Sequence, residues 1–209
     1  SATGQDITLD QAASTFGTLA LTGANVAVTE NAATDLGAST VSGTLGITSA
    51  GAVTDSGTLA ISGATTISAS GQDITLDQAA STFGTLALTG ANVAVTENAA
   101  TDLGASTVSG TFAITSGGAI TDSGTQAITG DATFTNTAGT DDAITLDDAS
   151  NAFGGTVTFA TDSGSAVTIV DTTALDLVAL TAASLSATSG GAVTDSGTLA
   201  ISGATTISA

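Results

Sequence analysis

Residues 4–44 read GQDITLDQAASTFGTLALTGANVAVTENAATDLGASTVSGT, and the same string stands unchanged at residues 71–111. The offset is 67 residues. A second string, GAVTDSGTLAISGATTISA, occupies residues 51–69 and returns intact at 191–209. A long period punctuated by turn residues predicts a solenoid, in which each unit packs on its neighbours along one axis. Three tandem units align, at about 1–67, 68–134 and 135–209. The markers are Thr-Asp-Ser-Gly tetrads at Thr54, Thr121 and Thr194, Ile-Thr-Leu-Asp tetrads at Ile7, Ile74 and Ile144, and the phenylalanines Phe16, Phe83 and Phe153. The third unit is longer, with insertions near Gly155 and around 161–173. The chain opens without methionine and stops at the phase of the repeat from which it started. The expectation is an interior piece of a longer repeat protein.

Each unit divides into three coils, 18–39, 40–57 and 58–84 in the first, of 22, 18 and 27 residues. Every coil holds three short segments with apolar residues at alternate positions, such as Leu19/Leu21, Val26/Val28, Leu45/Ile47 and Leu59/Ile61. Alternation at period two marks strands. Gly23, Gly43, Gly51, Gly57 and Gly63 punctuate them where corners are needed. The expected fold is all-β: a right-handed parallel β-helix with three strands per coil and about nine coils, roughly 40 Å long at ~4.8 Å per coil. Val, Leu, Ile and Ala fill its core, Thr and Ser lie mostly outside, and each Phe folds over the core face beside it.

Composition excludes much chemistry. The 209 residues carry a formal charge of −19 and contain no Lys, Arg, His, Cys, Met, Pro, Trp or Tyr. General bases and nucleophiles reduce to carboxylates and hydroxyls, and no cation is present to hold a phosphate or an oxyanion. Paired carboxylates can hydrolyse glycosides, but no Asp pair stands outside the repeat pattern. No enzyme is expected. Nucleic acid is not an expected partner, because its binding rests on cations. An anionic membrane repels such a chain, and no apolar run of about 18 residues exists to insert into one. Aliphatic residues make up enough of the chain to order it.

One acidic residue recurs near the end of the third strand of successive coils: Asp10, Asp35, Asp55, Asp77, Asp102, Asp122, Asp147, Asp176 and Asp195. In a single column their carboxylates would lie ~4.8 Å apart. Neighbours would repel by about 3.5 kcal/mol at an effective dielectric of 20. Two readings relieve this. In the first, each Asp caps a turn by accepting backbone N–H groups. In the second, the column holds cations, for which Ca²⁺ is the natural choice. The parity of Ile74-Thr75-Leu76-Asp77 differs from that of Val53-Thr54-Asp55, and a one-residue slip turns a side chain to the other face.

The strings GAVTDSGTLAISGATTISA, DITLDQAASTFG, LTGANVAVTENAA and DLGASTVSG resemble the repeats of giant bacterial surface proteins of the filamentous-haemagglutinin-like, β-strand-repeat type. The resemblance covers essentially the whole chain. It implies an extracellular β-helical shaft of a Gram-negative cell, acting in adhesion, matrix or filament formation, and it carries over no catalytic residue. The expected function is therefore a structural shaft of a fibre or adhesin. Its partners would be itself, by end-to-end stacking or chain continuation, and cell-surface or matrix components. The alternative is a calcium-dependent or ice-binding adhesion surface, for which the Thr-rich stretch Ala64-Thr65-Thr66-Ile67 is the feature of interest.

Overall fold

The computed structural model describes residues 1–137, 139 and 141–209. Its short strands stack in parallel into sheets of fourteen, ten, three and two strands. One turn of the first unit runs through Val26–Glu30, Thr34–Leu36 and Ser39–Val41. The next runs through Leu45–Ser49, Val53–Asp55 and Leu59–Ile61 and lies on the first with Val26 beside Leu45, Thr34 beside Val53 and Ser39 beside Leu59. A long strand and two short ones thus form the three sides of these turns. The chain is a parallel β-solenoid, as the alternation implied.

The number of turns differs from expectation. Register places Leu45 19 residues after Val26, Thr65 20 after Leu45 and Leu86 21 after Thr65. Eleven strands succeed one another along the main path of the largest sheet, so the chain makes about 11 turns rather than nine. The miscount has a local cause. Residues 58–84 look like one long coil, but Thr82 already pairs with Ala60, a full turn below it.

The sequence repeat is therefore not a whole number of turns. From Val26 the chain climbs through Leu45, Thr65 and Leu86, and the next strand then begins at Val93, the exact copy of Val26. From Val93 it climbs through Phe112, Ala132 and Val157, and the next strand is Ala166–Asp171. Each repeat advances three turns and one strand. Identical sequences such as Val26–Glu30 and Val93–Glu97 consequently lie in different sheets, the fourteen-stranded and the ten-stranded one.

Alternate residues point inward and stack. Val28, Ile47, Ile67 and Leu88 form one buried aliphatic column, while Ala27, Gly46, Thr66 and Ala87 point outward between them. Like does stack on like here, and dispersion and burial favour it. Thr65 is an exception: it points inward with no accessible surface. The Thr65–Thr66 pair thus shows one face to each side, and the flat two-column threonine array that ice recognition needs is not formed there. Phe83 and Phe153 are buried in the core and Phe16 is half-buried at the first turn, which is the covering role expected for them. Phe134 packs edge-on against Phe112 and Phe153, with ring centroids 6.0 Å apart in both pairs, and stacks on Phe159 at 5.7 Å.

Stacked corners come close enough to demand glycine. A Cβ on Gly57 would run into the backbone N and Cα of Ala38 one turn below. A Cβ on Gly46 would meet nothing nearer than the Val26 carbonyl oxygen at 3.8 Å. Gly57→Val is expected to destabilise by about 1–3 kcal/mol through forced backbone shifts, while Gly46→Ala stays within about 0.5 kcal/mol of the native chain. Urea unfolding of both variants checks this, and equal midpoints would refute the close approach.

Candidate functional site

The acidic residues carry nearly all the chemistry this composition permits, and the structure sorts the expected nine into three sets. Asp35, Asp102 and Asp176 sit mid-strand and half-buried, each between two threonines: Thr18 and Thr54, Thr85 and Thr121, Thr156 and Thr194. Asp35 accepts the hydroxyls of Thr18 at 2.6 Å and Ser56 at 2.8 Å, which hold its pKa below the usual value. Asp102 accepts the equivalent hydroxyls of Thr85 and Ser123.

Asp55, Asp122 and Asp195 end the strand of the next turn, two residues after an aliphatic. Asp55 is buried beneath the loop that follows Ile74–Leu76, where its Oδ1 accepts the Asp77 N–H at 2.8 Å and its Oδ2 the Gln78 N–H at 3.4 Å. Burial raises its pKa despite those bonds. Asp122 does the same for Asp147 and Asp148 and also accepts the Asn151 side chain at 2.5 Å. The third set, Asp10, Asp77 and Asp147, opens the clamped loops and is exposed.

The single acidic column is therefore not formed. Asp35 lies beside Thr54, Asp55 beside Leu36, and Asp77 just past the strand that stacks on Val53 and Thr54. The parity difference between Val53-Thr54-Asp55 and Ile74-Thr75-Leu76-Asp77 is the reason: the strands align Val53 with Ile74, which leaves Asp77 one residue beyond Asp55's level. Two of the sets meet pairwise, Asp55 with Asp77 and Asp122 with Asp147, through backbone N–H donation that caps a turn. Among the described residues no three acidic side chains converge as a metal-binding group.

Three further acids, absent from the expected set, close the same loops from above. Glu30 accepts the Phe16 N–H at 2.6 Å and the Thr34 hydroxyl at 2.8 Å. Glu97 accepts the Phe83 N–H at 2.7 Å and the Thr101 hydroxyl at 2.9 Å. Asp171 accepts the Phe153 N–H at 3.1 Å and the N–H and hydroxyl of Thr173, both at 2.9 Å. All three are buried. Burial pushes the Glu97 carboxyl up to about 7, against the opposing effect of its two hydrogen bonds. The loop carrying Phe83 is thus gripped by Asp55 from the turn before and Glu97 from the turn after, and the loop carrying Phe153 by Asp122 and Asp171 in the same way.

The remaining surface is grooved rather than pocketed by a converging polar site. One open groove of about 340 Å³ runs past Phe159, Thr161, Leu180 and Thr198, and another of about 290 Å³ past Thr107, Ile128 and Thr173. Neither is lined by a carboxylate. Among the described residues no helix is long and apolar enough to cross a membrane.

A solenoid whose acids serve as loop clamps at a 67-residue period is a tandem-repeat protein first of all. The chain belongs to the family described as repeats of unknown function (DUF5649), which matches it at residues 23–89, 90–160 and 164–209. No curated protein and no solved structure matches it.

Proposed function

We propose that this chain is a length of structural shaft in an extracellular fibre or adhesin stalk, without enzymatic activity. The observation that carries the reading is how the acids are used. Asp55, Glu97, Asp122 and Asp171 all turn onto backbone N–H groups of neighbouring turns. Carboxylates committed to holding loops are not free for general acid or base work, whereas a stack of clamped turns can be lengthened one repeat at a time. The likeness of the strings at 51–69 and 7–17 to haemagglutinin-like surface repeats supports a bacterial cell-surface setting, with surface or matrix components as partners. The formal charge of −19 supports a shaft that stays dispersed. The split of Thr65 and Thr66 between the inside and the outside does not favour ice binding, and among the described residues no group of three acids favours the calcium-dependent reading.

Antibodies raised against the folded chain test this on intact cells of the organism that makes it. Surface-exposed threads should label before any permeabilisation. Label confined to the cell interior, or saccharide hydrolysis lost on substitution of one aspartate, would overturn the proposal.

A further inference from the structure

The two copied strings leave the stacking of the chain ambiguous. Residues 71–111 carry the same side chains as 4–44, and 191–209 the same as 51–69. A turn that recognises one copy recognises the other. Residues 112–190, between the second copies of the two strings, break the identity. Phe112, Gln126 and Phe134 stand 67 residues after Leu45, Leu59 and Ile67, and Asn151 stands two residues before Phe153 as Ser81 does before Phe83. All four changed side chains are without accessible surface.

These side chains tie adjacent turns to one another. Phe112 lies beside Ala132, a small residue where the first repeat has Thr65, and Phe134 lies beside Phe159. Gln126 Nε2 donates to the Gly104 carbonyl of the turn before at 2.9 Å and to the Gly124 carbonyl at 2.7 Å. Asn151, in the turn after, accepts the Gln126 N–H at 2.7 Å and donates to Asp122 at 2.5 Å. At the matching place in the first repeat, the Leu59 N–H meets Ser81 Oγ at 3.0 Å. Gln126 Oε1 has no partner among the described residues. An unpaired buried oxygen is a cost that Leu59 does not carry. The amide therefore adds direction rather than burial, as a polar residue in an apolar seam fixes which partner fits.

We propose that the turns from Phe112 to Phe159 fold first and set the register on which the copied strings are laid. A solenoid can start folding at any point and grow by nearest-neighbour contacts. In these turns the contacts are aromatic and polar together. A start within 4–44 or 71–111 leaves the choice of the next turn open, whereas Gln126, Asn151 and the rings of Phe112, Phe134, Phe153 and Phe159 have one set of partners. Growth outward then gives each copied string its place by continuity of the chain. This role goes beyond the shaft reading and does not depend on it.

Refolding of the whole chain from urea, followed by pulsed hydrogen exchange, is the test. Ala132–Asn136 and Ile74–Leu76 lie about equally far from the middle of the chain, so a stack that is merely weakest at its ends protects both alike. The backbone N–H groups of Ala132–Asn136 should instead gain protection about tenfold sooner than those of Ile74–Leu76. Gln126→Leu/Asn151→Ser installs the pair already used at 59 and 81, so the fold is kept. This variant should refold about tenfold more slowly than the native chain, with an added slow phase from chains stacked out of register. The chain contains no proline and no cysteine, so neither prolyl isomerisation nor disulfide exchange supplies such a phase. Protection that arises together in Ala132–Asn136 and Ile74–Leu76, or a double variant that refolds at the native rate in one phase, overturns the proposal.

Discussion

Phe134→Ala is expected to lower stability by about 3–5 kcal/mol, the range for truncating a buried aromatic, and to split one unfolding transition into two. Phe134 has no accessible surface and touches three other rings, those of Phe112, Phe153 and Phe159. It joins turns that are otherwise held by short strands. Solenoid stability is close to a sum of repeat and nearest-neighbour terms. A cavity in mid-stack therefore weakens the coupling between the turns before it and the turns after it, and each part melts on its own. Hydrogen exchange measured along the chain gives the readout, with protection near Ala132–Asn136 falling first. Loss of less than about 1 kcal/mol, or protection falling evenly from end to end, would show that the aromatic cluster does not tie the stack together.

The second large effect concerns pH. The folded-state pKa of Glu97 is raised to about 7 from an ordinary 4.5, with burial as the main cause. The folded chain therefore binds this proton more tightly than the unfolded one. The contribution is fully present below the unfolded value, falls as pH rises from 4.5 to 7, and beyond that the folded state carries a buried charge. Asp55, also raised by burial, acts in the same direction. Glu97→Gln keeps an oxygen for the Phe83 N–H and removes the charge. After allowance for the solvent that reaches the group, it should stabilise the chain at pH 8 by about 1–3 kcal/mol, while leaving stability at pH 4 nearly unchanged. Denaturant titrations of both proteins at the two pH values decide it. A variant less stable than the native chain at pH 8 would mean that the ionised carboxylate is the better loop clamp.

Much of this was legible in the residues. Alternation gave the strands, the 67-residue identity gave the solenoid, and the placing of Phe83 and Phe153 over the core followed from their apolar rings. The turn count did not follow, because segment lengths do not reveal register: the stretch 58–84 includes both Ala60 and the Thr82 that stacks on it. The sorting of the acids was hidden for a related reason: position in a coil does not distinguish their three environments. The signal for the buried set was present in the alternation itself. In Val26, Val28 and Glu30, and in Val167, Ile169 and Asp171, the acid stands in phase with the inward aliphatics, as Asp55 does with Val53. Phase, not proximity to a strand end, separates an inward clamp from an outward cap.

The advance of three turns and one strand per repeat has a consequence for how the rod meets its surroundings. Any feature written into every repeat is dealt out to successive sides, about 16 Å further along each time at the usual strand spacing. It is back in the fourteen-stranded sheet two repeats on, at Ala166–Asp171, seven turns and about 34 Å beyond Val26–Glu30. Two rods lying side by side therefore cannot zip together through one repeated patch; they touch through it only at sparse, regular points. The sequence period, set against the turn it does not divide, favours separate threads that present the same chemistry on more than one side over flat bundles that bury it.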